Sequence, residues 1–144
     1  MGNTTDPRHE RILVVEDHPE SAELVQMMLE DGGYEALCVN TGRDALRVFA
    51  AQSADKTSNW RPDLILLDLR LPDMSGVEVV RELQKNQPSI PPVIFLSADS
   101  PQILRNVASS IGAAAIRKPF NFDDLYRAIE AELGKRRGSG RPSQ

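Results

Sequence analysis

Short apolar runs alternate with amphipathic segments between residues 11 and 133, and this alternation predicts a parallel sheet covered by helices on both faces. The longest apolar runs, Ile12 to Val15 and Leu64 to Leu67, have four residues each. The pattern predicts an α/β protein of the doubly wound, three-layer kind, with five parallel strands. These strands are Arg11–Val15, Glu35–Val39, Asp63–Leu67, Val93–Leu96 and Ala114–Arg117.

A helix is predicted after each strand. The first begins at Pro19 and stops at Gly32 and Gly33, and the second begins at Thr41. Ser75 and Glu78 form a capping-box pattern for the third helix, and Gly134 is expected to end the fifth. The residues expected to face the sheet are Ala22, Val25, Met28 and Leu29 in the first helix, Ala45, Leu46 and Phe49 in the second, Val77, Val80 and Leu83 in the third, Ile103, Leu104 and Val107 in the fourth, and Phe122, Leu125, Tyr126, Ile129 and Leu133 in the fifth.

Polar residues lie at the carboxyl ends of four of the five predicted strands, and in open parallel sheets ligands gather at that edge. They are Glu16 and Asp17 after strand one, Asp68 after strand three, Ser97 after strand four, and Lys118 with Pro119 after strand five. Each of these residues alone has an ordinary structural explanation, such as a helix cap or a turn. Their occurrence together at successive strand ends favours a functional site.

The charges of these residues suggest a cation. Two carboxylates about 4 Å apart repel by on the order of 4 kcal/mol at an effective dielectric constant near 20. Three carboxylates with Lys118 leave a net charge of −2, which a divalent cation would neutralise. Oxygen ligands at a partly hydrated site suit Mg²⁺. A hydroxyl and an ammonium beside it are donors suited to phosphoryl oxygens.

Composition limits the class of protein further. A chain of 144 residues is the size of one domain, and its apolar runs are far shorter than the ~18 residues of a membrane span. A single cysteine, Cys38, excludes a disulfide framework, and the N-terminus lacks a secretory signal. We therefore expect a cytoplasmic protein with no membrane association. One domain at residues 10–134 follows a disordered or extended arm at residues 1–9.

The charge is unevenly distributed. The formal net charge is −4, of which the last ten residues contribute +4, so residues 1–134 carry −8. An acidic body with 5% aromatic residues lacks the basic face that nucleic-acid binding requires. Residues 135–144 are expected to form a basic flexible tail or linker.

In order along the chain, the motifs ILVVEDHP, PDLILLDLRLPDMSG, VIFLSA and GAAAIRKPF closely resemble those of a response-regulator receiver domain. This is the CheY-like, flavodoxin-like fold of two-component signalling, and the resemblance covers about residues 10–134. It implies that Asp68 is the phosphoacceptor, and that Glu16, Asp17, Asp68 and the main-chain carbonyl of Arg70 bind Mg²⁺. It also implies that Ser97 and Lys118 bind the phosphoryl group, with a cis bond before Pro119.

The resemblance also implies a function, that of a stand-alone response regulator that is not an enzyme. A histidine kinase or a histidine phosphotransfer protein would donate the phosphoryl group, and water would later hydrolyse the acyl phosphate. The face formed by helix four, strand five and helix five would relay the signal to an unidentified downstream protein. A homodimer through that face is compatible with the resemblance, and direct nucleic-acid binding by this domain is not expected.

The sequence departs from the family at one position, and it carries opposite charges at two other positions. The aromatic residue that the family usually carries three positions before the lysine is replaced by Ala115, so the usual aromatic rotamer switch is absent there. Arg70 and Asp99 occupy the two positions that tune phosphoryl lifetime in the family, and they carry opposite charges. With only His9 elsewhere, His18 is not expected to be functional.

Two other functions compete with this hypothesis. A phosphate-independent interaction scaffold would usually lack some of the acidic or lysine residues, and this chain has all of them. A Mg²⁺-dependent phosphatase of the haloacid dehalogenase type would use a similar aspartate nucleophile. Such enzymes carry a second aspartate as general acid two residues later, where this chain has Arg70.

Overall fold

The computed structural model describes residues 10–54 and 60–139. Five strands alternate with five helices in this part of the chain, and none of these helices is long and apolar enough to cross a membrane. In chain order the elements are β1 (Arg11–Val15), α1 (Pro19–Asp31), β2 (Glu35–Val39), α2 (Gly42–Ala54), β3 (Leu64–Asp68), α3 (Gly76–Asn86), β4 (Val93–Ser97), α4 (Pro101–Ile111), β5 (Ala114–Arg117) and α5 (Phe122–Ser139).

The five strands form one parallel sheet in the order β2-β1-β3-β4-β5. This confirms the predicted α/β, flavodoxin-like architecture. The chain moves outward from β1 to β2 and then returns to the other side of β1 through β3. The topological switch point therefore lies between the carboxyl ends of β1 and β3.

Alternation along the strands divides the core into two layers, because successive side chains point to opposite faces of a sheet. Leu13 and Val15 pack with buried residues of α2, α3 and α4. Ile12 and Val14 pack with buried residues of α1 and α5. The sheet is therefore covered on both faces, which explains the four consecutive apolar residues in each of β1, β3 and β4.

Two strands end later than predicted. The third strand is Leu64–Asp68 and the fourth ends at Ser97. Asp63 lies before β3, where its amide donates to the Arg11 carbonyl at 2.7 Å and its Oδ2 accepts from the Arg11 amide at 2.8 Å. As a result Asp68 and Ser97 are the last residues of their strands, where the ladder restrains the backbone that carries their side chains.

Two apolar side chains that were expected to face the sheet are exposed. Ile103 is 47% exposed, because Leu104 and Ala108 occupy the buried side of α4 and each residue turns the helix by about 100°. Phe122 is 44% exposed at the first residue of α5 and contacts the ring of Tyr126 instead. In α3, Val79 is fully buried, whereas Val77, expected to be buried, is half-buried.

Helix boundaries differ from expectation at two further places. The second helix begins at Gly42, and Thr41 precedes it with its hydroxyl accepting from the Asp44 amide at 3.0 Å. The fifth helix does not end at Gly134 but continues to Ser139. Glycine ends a helix by adopting a positive φ, as Gly112 does at 80° after α4, and Gly134 is not among the positive-φ glycines in the described residues.

Candidate functional site

The acidic residues at the ends of β1 and β3 meet at the switch point of the sheet. Val15 pairs with Leu67, so Glu16 and Asp68 follow on two neighbouring strands. Glu16 is 1% exposed and Asp68 is 6% exposed, while Asp17 is half-buried. Burial of two carboxylates at one edge requires a compensating charge nearby.

Lys118 supplies a positive charge to this cluster. Its backbone amide donates to the Ser97 carbonyl at 2.8 Å, so pairing of β4 with β5 determines its position. Its Nζ donates to Glu16 Oε1 at 2.7 Å and to Asp68 Oδ2 at 3.0 Å. The following bond, Lys118–Pro119, is cis. One ammonium group is therefore shared between two buried carboxylates.

The two carboxylates differ in pKa. Burial raises the pKa of Asp68 above its ordinary value, and the charge of Glu16 adds to this rise, although hydrogen bonds from the Arg70 amide and Lys118 oppose it. Burial also acts to raise the pKa of Glu16, but the hydrogen bond and charge of Lys118 outweigh it and the pKa is lowered. The pKa of Lys118 is raised because hydrogen bonds to Glu16 and Asp68 outweigh burial. Of the two carboxylates, Asp68 is therefore the one whose ionised form is disfavoured by its surroundings.

The same cluster has the donors of a metal site. One ligand atom from each of Glu16, Asp17, His18 and Asp68 lies within 4.8 Å of the others. Asp17 Oδ1 is buried and has no hydrogen-bond partner among the described residues, although His18 Nδ1 lies 3.4 Å away. A buried, unpartnered carboxylate oxygen beside two further carboxylates fits a hard divalent cation such as Mg²⁺.

Ser97 is buried beside this cluster, but its hydroxyl faces Asp99. Ser97 Oγ donates to Asp99 Oδ2 at 2.7 Å and accepts from the Asp99 amide at 3.0 Å. Arg70 holds the same carboxylate from the other side, with Nε 3.0 Å from Oδ2 and a terminal guanidinium nitrogen 2.8 Å from Oδ1. The hydrogen bonds from Arg70 and Ser97 lower the pKa of Asp99.

The loop after β3 fixes the backbone around Asp68. Gly76 donates to the Leu69 carbonyl at 2.8 Å, and a Cβ on Gly76 would lie 2.7 Å from the Asp68 carbonyl oxygen. Earlier in this loop, Asp73 accepts from the Gly42 and Arg43 amides at 2.9 Å each. The start of α3 and the start of α2 are thereby tied to the loop that follows Asp68.

Ala115 leaves room on the face formed by α4, β5 and α5. A hollow of about 490 Å³ on the α5 side is lined by Arg117 and Arg127 among others. A second hollow of about 460 Å³ on the α4 side is lined by Arg105 among others, and Ala115 borders both. The small side chain therefore lies between two surface depressions.

The structure brings Glu16, Asp17, Asp68 and Lys118 together, as their strand-end positions predicted. It also places His18, for which no functional role was expected, in the acidic cluster, with Nδ1 3.3 Å from Glu16 Oε2. The pairing of Arg70 with Asp99 was also missed. Their opposite charges, each two residues beyond a predicted site residue, were the available signal.

Residues 12–130 match the family described as the response regulator receiver domain. The chain is also similar to solved structures of that kind. One is a receiver protein from Burkholderia phymatum, 32% identical over 87% of this chain and 95% of the other, with a TM-score of 0.74.

Two other solved structures extend this similarity. A CheY-like response regulator receiver domain protein from Methanospirillum hungatei JF-1 is 29% identical, covering 91% of this chain and 98% of its own, with a TM-score of 0.75. The signal receiver domain of a signal transduction histidine kinase from Syntrophus aciditrophicus is 33% identical, covering 94% and 96%, with a TM-score of 0.73. The likeness therefore extends over nearly the whole length of each relative.

Proposed function

The chain belongs to the response regulator receiver family, and we propose that its Asp68 accepts a phosphoryl group from the phosphohistidine of a sensor histidine kinase or a histidine phosphotransfer protein. The acceptor is part of the chain itself, so we expect no turnover of an external substrate. The phosphorylated state would then be recognised by a downstream protein at the face formed by α4, β5 and α5.

The observation that carries this proposal is the buried contact of Asp68 with Lys118. Asp68 Oδ2 lies 3.0 Å from Nζ, and Oδ1 accepts from the Arg70 amide at 3.0 Å. A surface aspartate would have neither the fixed orientation nor the adjacent cation. Phosphoryl transfer depends mainly on positioning and on charge stabilisation, and both are available at this carboxylate.

The transfer is a displacement at phosphorus. A carboxylate oxygen of Asp68 forms the new P–O bond and the P–N bond to the donor imidazole breaks, while a proton from solvent on the other ring nitrogen lets the donor leave as neutral imidazole. Lys118 would offset the negative charge on the transferred group. Ser97 would donate its hydroxyl hydrogen to a phosphoryl oxygen. Hydrolysis by water returns inorganic phosphate and the free carboxylate, which ends the signal.

Glu16, Asp17 and Asp68, with the main-chain carbonyl of Arg70, would hold Mg²⁺. When bound, the ion supplies positive charge that neutralises the carboxylates and the phosphoryl oxygens. The unpartnered Oδ1 of Asp17 supports this ligand set. We further propose that Arg70 and Asp99 tune the lifetime of the phosphoryl group, since their ion pair lies next to the acceptor.

Intact mass spectrometry after incubation with acetyl phosphate and Mg²⁺ tests this function. We expect the wild type to gain the mass of one phosphoryl group, and Asp68→Asn to gain none, because the substitution keeps the shape of the side chain but removes the nucleophile. Asp123→Asn makes the same change at an exposed carboxylate of α5 and should label normally. Undiminished labelling of Asp68→Asn would show that Asp68 is not the residue that accepts the phosphoryl group. Failure of the wild type to label would favour a phosphate-independent scaffold, and turnover of phosphate esters would favour a phosphatase.

A further inference from the structure

The hydroxyl group of Ser97 makes two hydrogen bonds to one residue, Asp99, and its single hydrogen is used in one of them. Its oxygen accepts from the Asp99 backbone amide at 3.0 Å, and its hydrogen is donated to Asp99 Oδ2 at 2.7 Å. A serine hydroxyl has only one hydrogen to donate. It therefore cannot donate to another acceptor while it donates to Asp99.

Arg70 connects this hydroxyl to the acceptor carboxylate. Its backbone amide donates to Asp68 Oδ1 at 3.0 Å, while its guanidinium group holds both carboxylate oxygens of Asp99 at 2.8 and 3.0 Å. The Asp99 side chain is only 16% exposed in this ion pair. Asp68, Arg70, Asp99 and Ser97 therefore form one continuous chain of hydrogen bonds.

Asp99 is also hydrogen-bonded to a residue of β5. Arg117 Nε donates to the Asp99 backbone carbonyl at 3.2 Å. Arg117 also lines the 490 Å³ hollow beside Ala115. A displacement of residue 99 would thus change the position of a cation on the face of α4, β5 and α5 without any aromatic side chain.

From these contacts we infer that Asp99 is a positioning residue that holds the Ser97 hydroxyl until Asp68 carries a phosphoryl group. This inference rests on the proposed function. A phosphorylated Asp68 adds acceptor oxygens and negative charge close to the Asp99 carboxylate. Ser97 then transfers its hydrogen bond from Asp99 to a phosphoryl oxygen, residue 99 shifts, and Arg117 loses its carbonyl acceptor.

Affinity for beryllofluoride, a mimic of the phosphoryl group, tests the first half of this inference by comparing two variants of Asp99 in the presence of Mg²⁺. Asp99→Asn removes the charge but keeps an oxygen acceptor for Ser97, whereas Asp99→Ala removes both. We expect Asp99→Ala to bind more tightly than Asp99→Asn by about tenfold, the change in Kd that ~1.4 kcal/mol produces. In a Ser97→Ala background the two variants should bind equally, because no hydroxyl remains to be released.

Equal affinities of the two Asp99 variants with Ser97 present, or a difference that persists without Ser97, would overturn the inference. If either of these results is found and the wild type still labels with acetyl phosphate, only the inference about Asp99 fails and the proposed function stands. A wild type that neither labels nor binds beryllofluoride would overturn both.

The second half is tested without altering Asp99. The Nε–H resonance of Arg117 should shift in the NMR spectrum when beryllofluoride binds the wild type, and the shift should be lost in Ser97→Ala. Arg127 lines the same hollow and serves as the reference resonance. An unchanged Arg117 resonance in the wild type, or an equal shift in Ser97→Ala, would contradict the inference.

Discussion

Without a bound metal ion, the ionised form of Asp68 is electrostatically unfavourable. Burial and the charge of Glu16 raise the pKa of Asp68 above the ordinary value of 3.8. A carboxyl group with a raised pKa binds its proton more tightly in the folded chain than in the unfolded chain. Its ionised form therefore destabilises the fold once the pH exceeds the folded pKa. This disadvantage is absent below the unfolded pKa, where both states are protonated.

Asp68→Asn should consequently stabilise the metal-free protein. At pH 7 in EDTA we expect the thermal midpoint to rise by about 2–4 °C, the shift that ~1 kcal/mol produces in a domain of this size. The gain should shrink as the pH is lowered towards 4. Calorimetric melts of the wild type, Asp68→Asn and Asp123→Asn provide the measurement. A lower midpoint for Asp68→Asn at pH 7, or a gain that grows on acidification, would show that the charge of Asp68 does not destabilise the fold.

Which residues lie at the site could be predicted, but not all of their partners. Residue type and strand-end position were enough to select Glu16, Asp17, Asp68 and Lys118. The bond of Ser97 to Asp99 depends on the conformation of the loop after β4, and the sequence carries no period or motif for it. His18 was discounted because the sequence has only His9 besides it and so offers no histidine metal cluster, although the structure places His18 against the acidic cluster.

Among the helices, α2 has an unusual N-terminus. The first amides of a helix lack partners within the helix. Here the Gly42 and Arg43 amides donate to the carboxylate of Asp73, which lies in the loop after β3. Burial opposes this arrangement, but the two amide bonds outweigh it and the pKa of Asp73 is lowered from 3.8.

Asp73→Ala should destabilise the fold by about 1–2 kcal/mol, the usual cost of losing an N-terminal cap. Since the folded pKa is depressed, this contribution is complete above the unfolded pKa and is lost as the pH falls through the folded pKa. The difference between wild type and variant in urea unfolding should therefore narrow below pH 4. Ser75→Ala removes the cap of α3 without removing a carboxylate, so its effect should keep its size over that range. Equal pH dependence of the two variants would argue against the role of the Asp73 charge.

Element boundaries were predicted where a single signal determines them, as at Pro19 for α1 and the capping box of α3. Predictions were wrong where the backbone conformation or the packing against the sheet decides the outcome. Gly134 carries the usual signal for the end of a helix, yet α5 continues to Ser139. Ile103 fits an apolar period, but Leu104 and Ala108 already fill the space against the sheet.

For the molecule as a whole, the alternation of apolar runs and amphipathic helices was sufficient to predict the sheet. Parallel strands buried on both faces must be covered by helices on both sides, which left few alternatives. How the face formed by α4, β5 and α5 is connected to Asp68 could not be predicted in the same way. From Ala115 the sequence shows only that the usual aromatic side chain is absent. The hydrogen bond between Asp99 and Arg117 joins residues 18 positions apart and depends on the tertiary structure.

Under the proposed function Mg²⁺ binds the folded acidic cluster and not the unfolded chain, so the ion should stabilise the whole domain. At one hundred times its Kd, a ligand of this kind contributes about 2.7 kcal/mol. The melting temperature of the wild type should rise with Mg²⁺ concentration, and that of Asp17→Ala should rise far less. Asp123→Asn should respond as the wild type does. If Asp17→Ala gains as much from the ion as the wild type, the metal lies elsewhere.

The proposed function requires that Asp68 is the residue that becomes phosphorylated. Borohydride reduces an aspartyl phosphate to homoserine, which marks the modified residue permanently. The measurement is peptide mapping by mass spectrometry after acetyl phosphate treatment and reduction. We expect homoserine at position 68, with Asp17 and Asp99 unmodified, and no homoserine anywhere in Asp68→Asn. Homoserine at Asp17, Asp99 or any other aspartate of the wild type in place of position 68 would show that the phosphoryl group is carried elsewhere.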